Sequence, residues 1–189
     1  VPDSLFQTIK ETVLQEQKIN PESFKHVTYS KFPRFVKTSI NIYFNHFIGS
    51  CYENWCDQNN VNKSYDLSNI WTNYLYKGDF IPNHFHHPAS SRTDPGSAAF
   101  ILWVNIPYTI EEERKYSECE NETISPRNGS VDFIYSQLDG KTCIKTLFVD
   151  KSLEGTLLIF PANIIHCVYP FYTSDDPRIS ISGNILLRD

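Results

Sequence analysis

What this sequence lacks narrows it first. No apolar run approaches the roughly 20 residues that a membrane-spanning helix needs, and no secretory pattern stands at the amino end. Basic residues do not dominate: 17 Lys and Arg against 22 Asp and Glu leave a net charge of −5, without a large block of one sign. That excludes the strongly basic face of a nucleic-acid binder. Methionine is absent, and glycine is scarce, with seven in 189 residues. No tandem repeat, heptad or low-complexity tract occurs, which excludes solenoids and coiled coils. The five cysteines, Cys51, Cys56, Cys119, Cys143 and Cys167, are odd in number and show no paired short spacing. They fit neither a disulfide framework nor a zinc knuckle and are read as mostly free thiols of a reducing, cytoplasmic compartment.

What is present fits one domain with room for a full core. Residues 1–64 read as a helical amino-terminal support. Leu5, Ile9 and Val13 recur at four-residue spacing and predict a helix over residues 4–18, with Asp3 or Ser4 as its cap and Pro21 beyond its end. A second helix is expected over residues 34–56, where Val36, Ile40, Tyr43, Phe44, Phe47, Cys51 and Trp55 mark an apolar stripe. His46 lies off that stripe and reads as a surface residue. Between the helices, residues 22–33 read as irregular, with one short strand around residues 26–29.

From Tyr65 onward the texture is that of strands and turns. Strands are expected over residues 70–76, 80–86, 97–106, 131–135 and 142–149, with Gly78 and the pair Asp139-Gly140 marking turns. Residues 97–106 (SAAFILWVNI) are apolar throughout, as for a strand buried on both faces. Residues 109–130 carry the charged run EEERK and read as a solvated insertion, partly helical. The run from Gly155 to Asn184 reads as strand, Pro-marked corner, strand with one histidine, polar turn, and a strand that opens on an arginine. Two helices followed by about eight strands with short turns point to a mostly β, α+β domain. The expected fold is a double-stranded jelly roll over residues 65–189, buttressed by the amino-terminal helices.

The chemistry sits at two places in those strands. Alternate strand residues share a face, so His84 and His86 project together, and His87 points away if the strand persists. His166 is the histidine left in the strand region to complete a set of three. Imidazole is a good ligand for iron, zinc, copper and nickel. Gly78-x5-His84-x-His86 has the spacing of a first cupin motif. Gly155-x5-Pro161-x4-His166 resembles the second, with Asn163 where that pattern has glycine. Twelve residues after His166 stands Arg178, with Ser180 on the same face. Its guanidinium offers a planar fork to a carboxylate; the alternative is a strand-end arginine paired with Asp175 or Asp176. Trp71, Phe85, Phe100 and Trp103 are aromatic candidates for the cavity wall or the core.

The stretches IWTNYLYKGDFIPNHFHHP, SAAFILWVNIP and GTLLIFPANIIHCVYPFYTSDDPRISISGN together resemble the 2-oxoglutarate- and iron(II)-dependent oxygenases. The likeness is to small bacterial and phage members with a W-x-N, H-x-H, G-x-L-x-x-F-P, H-x-V-x-P and R-I-S-x-x-x-N pattern. It covers residues 70–187 and leaves out the helices. The resemblance implies a jelly-roll core and Fe(II) on His84, His86 and His166. It implies 2-oxoglutarate with its distal carboxylate on Arg178 and Ser180, and one of Asn73 and Tyr74 hydrogen-bonded to that cosubstrate. The implied reaction consumes dioxygen, releases succinate and CO2, and hydroxylates a substrate that the sequence does not name. One departure stands out: the wider family uses His-x-Asp or His-x-Glu, and here the second position is His86. Asp79 and Asp94 are the nearby carboxylates, both at the wrong spacing. Two rival readings remain at this stage. One is a three-histidine cupin-type enzyme that does not use 2-oxoglutarate; the other is a non-catalytic jelly roll whose histidines are structural or hold zinc.

Overall fold

The computed structural model describes residues 1–19, 34–37, 42–60, 64–86, 97–116 and 127–187. The strand expected around residues 26–29, His87, Asp94 and Cys119 lie outside these. Among the described residues nine strands form two antiparallel sheets. The first has the order β1-β2-β9-β4-β7 and the second β3-β8-β5-β6. In chain order these are β1 (Arg34–Lys37), β2 (Tyr65–Leu75), β3 (Ile81–His84), β4 (Ala98–Asn105), β5 (Ser130–Ser136), β6 (Thr142–Phe148), β7 (Leu157–Pro161), β8 (Ile165–Val168) and β9 (Arg178–Leu187). The helices are α1 (Asp3–Ile19), α2 (Ile42–Asn59) and α3 (Ile110–Tyr116). Two sheets packed face to face, with helices over the larger one, make the jelly roll that the strand pattern predicts. No helix among the described residues is long and apolar enough to cross a membrane, and Cys51, Cys56, Cys143 and Cys167 are free thiols.

The larger sheet is buried on both faces, and strand alternation divides its side chains between two cores. On one face Ala98, Phe100, Leu102 and Val104 of β4 and Ile179, Ile181, Ile185 and Leu187 of β9 meet Ile9 and Val13 of α1 and Phe44, Ile48, Tyr52 and Cys56 of α2. On the other, Ala99, Ile101 and Trp103 meet Val131, Phe133, Phe160 and Val168 between the sheets. This is why residues 97–106 carry no polar alternation.

The second helix differs from its expected span. Arg34–Lys37 is a strand whose residues pair with Tyr74 to Trp71 of β2, so the helix begins at Ile42. The buried stripe therefore moves one position, to Phe44, Ile48, Tyr52 and Cys56, while Tyr43 is 70% exposed. Pairing along a sheet edge overrode the four-residue period there. His46 is exposed as expected. The expected solvated insertion is also revised at its start: Ile110 and Glu113 of α3 are buried.

Three strands that border the interior have a break in register. They lie between Ser68 and Trp71 of β2, between Ile81 and His84 of β3, and between Trp103 and Asn105 of β4. Each reverses which parity faces inward beyond it. Thus Tyr65 and Leu67 pack toward the helices before the β2 break, and Tyr74 and Tyr76 do so after it, while Trp71, Asn73 and Leu75 line the interior.

One close approach in the helix-facing core depends on glycine: a Cβ on Gly183 of β9 would stand 2.6 and 2.7 Å from the Phe100 ring. The Phe100 ring is fully buried and held edge-on by Phe44 at 6.3 Å, so it has little room to give. Gly183→Ala is expected to lower unfolding free energy by about 1–3 kcal/mol through overpacking. Phe100→Leu in the same chain should return part of the loss. Chemical denaturation of both variants measures this, and an unchanged midpoint for Gly183→Ala would refute the packing argument.

Candidate metal centre and anion pocket

His84 and His166 face each other across the β3–β8 ladder, where they are paired in register. Each ring is oriented locally. His84 Nδ1 lies 2.8 Å from Pro82 O and His166 Nδ1 lies 3.1 Å from Ile164 O, in both cases the carbonyl two residues earlier. His86 lies beyond the end of β3. Its backbone N–H donates to Ala162 O at 2.9 Å. Its ring Nδ1 meets Asn184 Oδ1 at 2.7 Å, and Trp71 stacks on it at 5.5 Å and 25°. The three rings converge: each offers a ring nitrogen, and these atoms lie within 4.8 Å of one another.

The proton positions follow from those contacts. A carbonyl oxygen can only accept, so each Nδ1 donates, which in a neutral ring leaves the lone pair on Nε2. Burial holds the His166 ring down at about 3, reinforced by the neighbouring His84 charge. Burial likewise lowers His86, against the raising effect of Asn184. A neutral ring, which burial favours at His86 and His166, is the state that a transition-metal ion requires. By donor chemistry and convergence, the site fits a first-row divalent ion with three nitrogen ligands. Asp79 does not join it: that carboxylate is buried and accepts from Tyr76 N at 2.8 Å across the Gly78 turn.

The same cavity runs to Arg178 and Ser180. Arg178 is 3% exposed. Its Nη1 donates to the Tyr108 hydroxyl at 2.8 Å and its Nη2 to Tyr169 O at 3.0 Å, and it lies 5.6 Å from the Phe171 ring centre. None of these partners is negative, and no carboxylate pairs with it among the described residues. Asp175, one of its two expected partners, sits at the surface 3.8 Å from Lys77. Burying a cation without an anion is costly, so this guanidinium is poised for one.

Of the pair Asn73 and Tyr74, the first lines the cavity and the second does not. Tyr74 faces the helical layer, where its hydroxyl donates to Val13 O at 3.2 Å. The β2 register break reverses the parity that would decide between them. Asn73 spends both amide hydrogens inside the wall, on Ser180 Oγ at 3.2 Å and Ser182 Oγ at 3.0 Å, and accepts from Trp71 Nε1 at 3.1 Å. Trp71 and Trp103 line the cavity, Phe85 is 43% exposed, and Phe100 belongs to the helix-facing core. Sequence reasoning did not single out Tyr108, and it met Asn184 only as the last residue of the R-I-S-x-x-x-N pattern, with no role assigned. Asn184 had a legible signal, since it continues the same face as Arg178, Ser180 and Ser182. Tyr108 had none, because it follows the β4 register break and Pro107.

Behind the anion pocket lies Glu113, fully buried. Its carboxylate accepts from Tyr172 N, from Thr173 N at 2.8 Å and from Thr173 Oγ1 at 2.6 Å. It ties α3 to the loop that carries Phe171, which stacks on Tyr108 at 4.7 Å.

Comparison with known proteins agrees with this geometry. The model of a family described as "Putative 2OG-Fe(II) oxygenase" matches residues 69–184. No curated protein sequence matches the chain. Among solved structures it is similar to a prolyl-4-hydroxylase of Pseudomonas putida, at 12% identity and a TM-score of 0.56, over 100% of this chain and 89% of that one. It is similar to the viral collagen prolyl hydroxylase of Paramecium Bursaria Chlorella virus-1, solved as a 2OG complex, at 10% identity and 0.58, over 100% and 92%. It is also similar to HygX of Streptomyces hygroscopicus, solved with nickel and 2-oxoglutarate bound, at 10% identity and 0.60, over 98% and 79%. At such identities the likeness establishes the shared jelly-roll fold.

Glu113→Ala would leave three donors without their acceptor. At about 1–3 kcal/mol for each unpaired group, partly relieved by water, we expect a stability loss of about 3 kcal/mol or more. Urea unfolding of the metal-free chain measures it. A loss below about 1 kcal/mol would show that the carboxylate is not what holds the loop.

Proposed function

The chain belongs to the 2OG-Fe(II) oxygenase family, and from that membership we propose that His84, His86 and His166 hold its iron(II) and that Arg178 with Ser180 binds the distal carboxylate of 2-oxoglutarate. The bound iron and cosubstrate supply the oxidising chemistry, consuming dioxygen and releasing succinate and CO2. On this reading the product is a hydroxylated substrate of a class that the cavity does not name.

The observation that carries the proposal is the buried, uncompensated Arg178 in the cavity that the three histidines also line. A three-histidine site alone suits several enzymes. A cation without a carboxylate partner, in the same pocket, favours a cosubstrate that brings an anion with it. It also speaks against a metal site that uses no oxo acid, and against histidines that are merely structural.

The residues divide the work. The three imidazoles, each contacted at Nδ1, would hold the ion through their other ring nitrogens. Arg178 supplies a charge-assisted, two-pronged contact. Tyr108 and the Tyr169 carbonyl hold the guanidinium in place. Because Asn73 donates to Ser180 Oγ, the Ser180 hydroxyl hydrogen is free to donate to a carboxylate beside Arg178. The apolar wall of Leu75, Ile101, Trp103 and Val131 keeps water from competing and so strengthens each polar contact. With no carboxylate ligand in the histidine set, the negative charge that balances the ion comes from the cosubstrate.

Arg178→Ala is expected to weaken 2-oxoglutarate binding by about 2–5 kcal/mol, as for truncating one side of a buried charge pair. Metal uptake should stay near wild type. His166→Ala should lose both metal and iron-dependent succinate formation. Calorimetric titration of 2-oxoglutarate into the Ni(II)-loaded protein measures the first effect, and an unchanged affinity would sink the anion-clamp assignment.

A further inference from the structure

We infer that Asn184 is the positioning residue for the third arm of the metal centre, fixing both the tautomer and the direction of the His86 ring; this rests on the three-histidine metal reading above. The three rings are not held alike. His84 and His166 are paired in the β3–β8 ladder, and each Nδ1 meets the carbonyl two residues back in its own chain segment. Both polar holds come from backbone carbonyls, and the His166 ring also packs against Phe133 and Phe160. His86 has left the ladder. Its ring is held by a side chain 98 residues away in sequence, through the 2.7 Å contact from Nδ1 to Asn184 Oδ1, with Trp71 against its face.

Asn184 is itself firmly placed. It lies on β9, paired with Ala99 of β4 and with Ser68 of β2 just before the register break. It stands next to Gly183, whose missing side chain lets Phe100 close over the strand. Its oxygen can only accept, so His86 must carry its proton on Nδ1 and direct the Nε2 lone pair to the centre. A neutral histidine without that acceptor is free to take the other tautomer and to rotate. An amide in this role holds the ring without placing a negative charge beside it. Asn184 thereby links the metal arm to the strand that also carries Arg178 and Ser180.

The test uses the full chain stripped of metal. Ni(II) and Co(II) are titrated into wild type, Asn184→Ala and Asn184→Asp, with nitrogen NMR of labelled histidine on the metal-free proteins. The alanine variant is expected to bind both ions 10–100-fold more weakly and to show His86 as a mixture of tautomers. Asn184→Asp, which keeps the acceptor, should stay within a few-fold of wild type and hold the Nδ1–H tautomer. A merely structural role would not move the tautomer signal. If the alanine variant fails to fold, Asn184→Ser takes its place, since its shorter side chain stays polar and falls short of the ring. Wild-type affinity and tautomer in the shortened variant would overturn the inference alone. A wild type that takes up neither ion would overturn the metal reading and the inference with it.

Discussion

A central strand covered on both faces must serve two environments at once, and β9 sets the terms for the whole domain. Its residues Ile179, Ile181, Ile185 and Leu187 are buried among the helices. Arg178, Ser180 and Ser182 line the cavity between the sheets, and Asn184 continues that row to reach His86. A slip of one residue would exchange the two sets and place a guanidinium in an apolar layer. The helices do more than cover a sheet. They bury the odd-numbered side of β9, and so hold the register that presents its even-numbered side to the cavity.

The electrostatics follow from that placement. Among the described residues the cavity between the sheets is lined by one guanidinium and three imidazoles. It pairs the cation with a hydroxyl, a carbonyl and an aromatic face rather than with a carboxylate. Burial lowers the proton affinity of His86 and His166, which frees their lone pairs. The nearby buried carboxylate of Glu113 is turned toward backbone donors of the Tyr172–Thr173 segment. It shapes the pocket without entering it. Among the described residues the cavity thus has a guanidinium without a carboxylate at one end and converging imidazole nitrogens at the other.

Much of this was legible in the residues themselves. The spacing of His84, His86 and His166 picked out three rings that converge in the fold, and Arg178 as a residue of the same cavity, because strand alternation is a local rule. The fold class was legible too, from apolar runs broken by Gly and Pro. The misreadings have specific causes. Arg34–Lys37 looked helical because its apolar residues suit either period, and only pairing with β2 made it a strand. Tyr74 and Asn73 could not be told apart, because an extra residue between Ser68 and Trp71 resets the parity of β2. Phe100 and Trp103 lie on the same apolar strand, yet they serve opposite cores.

The sequence by itself determined which side chains bear chemistry and which strands must be buried, since those depend on residue type and on spacing within a single element. It also determined the family, through short motifs whose own residues stay close together although the motifs are spread over residues 70–187. The tertiary structure alone decided which atoms meet. Asn184 reaching His86 across 98 residues and Tyr108 meeting Arg178 are contacts between distant segments. They depend on register breaks that shift a strand by one residue, and no local rule of alternation records such a shift.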